Sequence, residues 1–325
     1  MLKKFLADLI ELLDFFNSKV DLMYNLVEFY PNYTQFLDVI NNFIYDSVAT
    51  KSQNPLILAK CSNIFSVKEE YKLAELSAKR AIESITNEKN LWLKANVLAI
   101  VAPVVNNTDS SYCYKLLEQA EAIIEEIPDR SDKDDSLKAL FLCYLKINDL
   151  DNASRILSSI QYKKKRKETI FNAIKHFLAR KKQNIVSFLE TFITSGEDKL
   201  VYSAIIARDL YINKNVNRAK ARVKSILRSI DFFPSDLQER VIRSLPITLV
   251  ISKSFLESDP QIKIVITTVY NEVEITYLQK FASIITNANS NTNFLEKMYR
   301  EISRLDPITK QTIIHDAVHM LAENI

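Results

Sequence analysis

Residues 137–145 read LKALFLCYL, residues 170–178 read IFNAIKHFL and residues 203–211 read SAIIARDLY. Laid over one another at a spacing of 33, Leu137, Leu140, Phe141, Tyr144 and Leu145 fall on Ile170, Ala173, Ile174, Phe177 and Leu178. A second step of 33 reaches Ser203, Ile206, Ala207, Leu210 and Tyr211, so that 14 of the 15 positions are apolar or aromatic. Positions i, i+3, i+4, i+7 and i+8 share one face of an α-helix and no face of a strand. A face that returns in phase at fixed spacing marks stacked structural units. Downstream the phase slips by one, to Leu237, Val241 and Leu245; upstream, Ala95, Leu98, Ala99 and Ala102 fit once nine extra residues are placed near Val105–Tyr112.

Between these segments runs a second amphipathic pattern, an alanine followed by aliphatic residues four and seven positions on. It occurs at Ala78/Ile82/Ile85, Ala120/Ile124/Ile127, Ala153/Leu157/Ile160 and Ala219/Val223/Ile226, and more weakly at Val186/Glu190/Ile193. Alternating helices of two kinds predict antiparallel pairs stacked in register. Composition agrees. Gly196 is the single glycine of 325 residues, where an average share of about 7% would supply roughly 23. Glycine-rich phosphate loops, nucleophile elbows and tight hairpins are therefore excluded, and with them the Rossmann, P-loop, hydrolase and multi-strand β folds. The expected fold is all-α, a right-handed α-solenoid of helix pairs over residues 68–245, with helical regions at 1–67 and 246–325.

With glycine absent, other residues must end the helices. Asn148, Asn213 and Asn215 are the expected left-handed caps, and Ser131 with the acids behind it reads as a helix start. Pro55 and Pro260 suit a first helical turn, whereas Pro103 and Pro246 should end or kink their helices. Ile262–Tyr277 is expected to be helical, a short strand being the alternative there.

The stretch Leu145-Lys146-Ile147-Asn148-Asp149-Leu150-Asp151-Asn152-Ala153 resembles the end of one helix and the start of the next in the tetratricopeptide (TPR) repeat. On that resemblance Ala153 and Ala219 hold the family's small packing position, and Leu157 and Val223 its bulky one. Ile160 and Ile226 depart from it, standing where the family has a second alanine. The resemblance implies a curved superhelix whose first helices line a groove, and a role in binding other macromolecules.

The opening MLKKFLADLIELLDFF carries Asp8, Glu11 and Asp14, which break any leader-like apolar run, and reads as an amphipathic helix. The longest apolar stretch, near Leu245–Ile251, is too short to span a bilayer, so no membrane partner is expected. Cys61, Cys113 and Cys143 are widely spaced and predict buried, reduced thiols in a cytoplasmic protein. His315 and His319 share a helix face with Glu323 and are the candidate metal ligands, but Asp316 replaces the glutamate of H-E-x-x-H and no distant ligand completes the set. No catalytic residue, cofactor or metal is expected.

Charge is segregated. Net charge is only +3, yet residues 161–228 hold 17 Lys and Arg against 5 Asp and Glu, and residues 118–135 hold 8 acids against 2 bases. Lys163, Lys164, Lys165, Arg166 and Lys167 read as one inter-repeat turn. Lys220, Lys224 and Arg228 read as a stripe opposite the apolar face of their helix, beside Arg218 and Arg222. These ten cations are the candidate partner-binding surface. The expected function is a non-enzymatic protein–protein interaction scaffold recognising an acidic or extended partner, with nucleic-acid binding through residues 161–228 as the alternative. Tyr162, Phe171 and Phe177 are the aromatics near enough to stack on bases, although Phe177 belongs to the core phase.

Overall fold

The computed structural model describes residues 20–24, 54–230, 233–257, 260–286, 298 and 300–324. Among them the chain is helix and turn, with no strand. The helices expected before residue 54 lie otherwise outside the described residues. Two compact units divide at Phe192/Ile193.

The first unit contains α1 (Pro55–Val67), α2 (Tyr71–Ser84), α3 (Leu91–Val105), α4 (Ser110–Glu126), α5 (Arg130–Lys146), α6 (Leu150–Ser159), α7 (Lys163–Ala179) and α8 (Gln183–Glu190). Each odd-numbered helix packs on the even-numbered helix that follows it, and α1, α3, α5 and α7 pack in that order on one another. The apolar phases explain these contacts. Leu137, Leu140, Phe141, Tyr144 and Leu145 are all buried, as are Ile170, Ala173, Ile174 and Phe177. So are Ala120, Ile124, Ile127, Ala153, Leu157 and Ile160 on the intervening segments. Each fully buried Leu, Ile or Phe contributes about 1.5–3 kcal/mol, so a stripe of five outweighs any local propensity.

The second unit opens with α9 (Gly196–Ile212) paired with α10 (Val216–Ser229). Here the buried apolar set of α9 is Val201, Ala204, Ile205 and Ala207, while Ser203, Ile206, Leu210 and Tyr211 are half-buried, so the stripe has rotated from its expected phase. Next come α11 (Ser235–Ile242) and the single turns α12 (Ile247–Val250) and α13 (Lys253–Leu256). The last helices are α14 (Pro260–Thr267), α15 (Glu272–Thr286) and α16 (Pro307–Asn324). Ile262–Tyr277 is thus helical, split by a turn at 268–271.

Backbone geometry repeats with the sequence. Asn148, Lys181 and Lys214, spaced by 33, have φ of 61°, 54° and 62°, and Glu69 has 63°. Each closes a helix in the same way. Asp149, Lys182 and Asn215 donate their N–H to the carbonyls of Tyr144, Phe177 and Leu210 at 2.9, 3.0 and 2.8 Å, and Glu70 donates to Phe65 at 3.0 Å. These are Schellman closures. Asn148 therefore caps as expected, but Asn213 and Asn215 do not, because register rather than residue preference selects Lys214. The single glycine serves no such turn; Gly196 opens α9 behind its Ser195 cap.

One further expectation changes and two gain detail. The start of α5 is capped by Asp129, which accepts from the Asp132 N–H at 2.9 Å, and not by Ser131. Of the nine extra residues placed near Val105–Tyr112, seven are helical. They lengthen α4, which begins ten positions before Ala120, whereas α6 begins three before Ala153. Pro103 sits inside α3 without ending it. Proline cannot donate to the carbonyl four residues back, and that carbonyl, Ala99 O, accepts instead from Cys143 Sγ of α5 at 2.7 Å. Pro55 and Pro260 open helices as expected, and Pro246 precedes α12.

Candidate functional site

Lys163–Lys167 form the first turn of α7, not a turn between helices. The chain enters that helix early because Asp134, 1% exposed, accepts the N–H groups of Gln161 and Tyr162 at 3.0 and 2.8 Å. The five cations then divide. Lys165 Nζ reaches Asp135 Oδ1 at 2.9 Å and the Ser131 carbonyl at 2.9 Å. Arg166 donates to the Ile160 carbonyl at 3.0 Å and to the Ser158 carbonyl at 3.2 Å. These two hold the pair α5/α6 against α7. Lys163 and Lys164 are exposed, with no ion pair or hydrogen bond among the described residues. Lys167 is half-buried.

The other five candidates lie on α10, in the second unit. Arg218, Lys220, Arg222 and Arg228 are exposed opposite the buried stripe Ala219, Val223 and Ile226. Lys224 is half-buried, its ammonium 5.9 Å from the centre of the Phe255 ring. Five cations on fourteen residues with no acid between them make α10 the most one-signed helix of the described chain.

The aromatics behave differently from the cations. Phe171 and Phe177 are 4% and 2% exposed. Tyr162 is exposed, but the Arg130 guanidinium lies 4.8 Å from its ring centre.

On α16 the rings of His315 and His319 lie 5.4 Å apart. Burial pushes the His315 pKa down, and the described residues contain no cluster of three potential metal ligands. The side chain of Glu323 lies outside the described set. His176 is buried, with its Nδ1 2.9 Å from Arg180 Nη1. None of the three cysteines is in a disulfide and all are buried; burial pushes the Cys61 thiol up to about 12 and that of Cys113 to about 11, far from the reactive thiolate range.

An open groove, which sequence reasoning missed, lies between α2 and α4 over the end of α3, with a volume of about 490 Å³. No described helix is long and apolar enough to cross a membrane. No family model, curated protein or solved structure matches the chain.

Proposed function

We propose that this chain is a non-enzymatic protein–protein interaction scaffold, built on a TPR-like right-handed solenoid of antiparallel helix pairs, that recognises an acidic partner. The left-handed closures at Asn148, Lys181 and Lys214 support the repeat, since they return at the 33-residue spacing of the apolar phases. The observation that carries the partner's chemistry is the exposure of Lys163, Lys164, Arg218, Lys220 and Arg222 with no carboxylate on them among the described residues. Unneutralised like charges repel in the free protein, and an anionic partner relieves that repulsion.

Acidic polypeptide is favoured over nucleic acid on the aromatics. Single strands are gripped by stacking on open rings, and of the three rings nearest Lys163 and Lys164 in sequence two are buried and the third carries Arg130. The test is anisotropy of labelled polyglutamate, single-stranded RNA and duplex DNA at about 150 mM salt. Polyglutamate should bind, and the variant combining Lys163→Glu, Lys164→Glu, Arg218→Glu and Arg222→Glu should bind it at least about tenfold more weakly. Tighter binding of either nucleic acid would overturn the reading.

A further inference from the structure

We propose that the groove between α2 and α4 docks a basic amphipathic helix of a partner protein. This site shares no residue with the cationic candidates and has the opposite charge. Its floor is apolar: Ala74 and Ala78 of α2, 1% and 2% exposed, with half-buried Ile82 and buried Val104 at the end of α3. Its walls are two tyrosines facing water, Tyr71 at 54% and Tyr112 at 40% exposure. Large aromatics left exposed around an apolar floor are the usual anchors of an interface.

The groove arises where the repeat is broken. Tyr112 lies in the extra N-terminal turns that make α4 longer than α6, and both α2 and α4 rest on α3. The loop 106–109 is also the one connection within a described helix pair that lacks a left-handed residue. Departures from a fold's own local rules concentrate at functional or strained sites.

Two arguments choose the occupant. The first is charge. Glu75, Glu83 and Asp109 line the groove against Lys79 alone. The second is backbone chemistry. Both walls are helices that bond their own N–H and C=O groups beyond their first turns and present no strand edge, so an extended segment would find few partners for its backbone. A helix satisfies itself and presents apolar side chains at i, i+3, i+4 and i+7.

The probe is a labelled peptide of about five helical turns, with leucine at those positions and lysine elsewhere. A counterpart carries glutamate for every lysine. Binding to the full chain is followed by anisotropy, with circular dichroism confirming that each variant is folded. The Leu/Lys peptide should bind at least about tenfold tighter than the Leu/Glu peptide, and Glu75→Lys with Glu83→Lys should invert that order. Tyr112→Ala should weaken the Leu/Lys peptide by at least about fivefold. The control Glu118→Lys with Glu126→Lys changes the same number of charges outside the groove and should leave affinity within about twofold. Absence of binding, or equal losses from the groove and control variants, would overturn the proposal.

Discussion

Four residues of the described chain hold a left-handed backbone, and none of them is glycine. An L-residue there costs roughly 1–2 kcal/mol, and the closure's two hydrogen bonds and the helix packing around it sustain that cost. At Lys181 the side chain is exposed, so Lys181→Gly should raise stability by about 0.5–1 kcal/mol in urea titration, the flexibility of glycine in the unfolded chain taking back part of the gain. Cys143 has the reverse role. Its sulfur serves the carbonyl that Pro103 leaves without a backbone donor, so Cys143→Ala should cost about 1–3 kcal/mol, and Cys143→Ser, which keeps a donor, should cost less. Glu121 ties three helices, accepting from Tyr144 of α5 and from Arg155 of α6 at 2.8 Å. Burial alone would raise its pKa; the bonds from Arg155 and Tyr144 outweigh that and hold it below its ordinary 4.5. A lowered folded-state pKa gives stability that is present above the ordinary value and lost as pH falls through the folded one. Glu121→Gln should therefore be less stable than wild type by about 0.5–1 kcal/mol at neutral pH, allowing for its partial exposure, and the gap should close as pH falls through the lowered folded-state pKa. Melting at a series of pH values measures it.

At the scale of the element, α7 begins against its own dipole. Cations at a helix N-terminus are disfavoured by about 0.3–1 kcal/mol each, and α7 places five there with no acid in its first turn and no side-chain cap. Lys165 and Arg166 offset this through bonds to the preceding pair, whereas Lys163 and Lys164 make none among the described residues. Charge reversal should thus split the cluster. Lys163→Glu with Lys164→Glu should raise stability by about 0.5–1 kcal/mol while weakening polyglutamate binding. Arg166→Ala should lower stability by about 1–2 kcal/mol, since it strands the carbonyls of Ile160 and Ser158. Equal effects from both changes, read by urea denaturation, would show that the cluster is one uniform exposed face.

At the scale of the molecule, local periodicity made the helices, their alternation and the position of the closures legible, because an apolar face and its turn recur together every 33 residues. Long-range polar partners were not legible. Nothing in the acidic run separates buried Asp134 from exposed Asp132, and nothing near Pro103 announces Cys143, 40 positions away. The groove was hidden for a related reason, since an insertion reads as a broken phase whether it becomes loop or helix. Charge segregation was legible, but the division of its cations into structural and open ones was not. That division bears on kinetics. With a net charge of only +3, steering must come from the segregated surface rather than from the whole. Raising salt from about 20 to 200 mM shortens the screening length from roughly 20 to 7 Å. In stopped-flow with labelled polyglutamate, the association rate constant should fall by at least about tenfold over that range, and the dissociation rate constant should change by less than about threefold. In the variant with Lys163, Lys164, Arg218 and Arg222 changed to glutamate, the salt dependence of association should vanish or reverse. A dependence kept intact in that variant would place the steering field elsewhere on the chain.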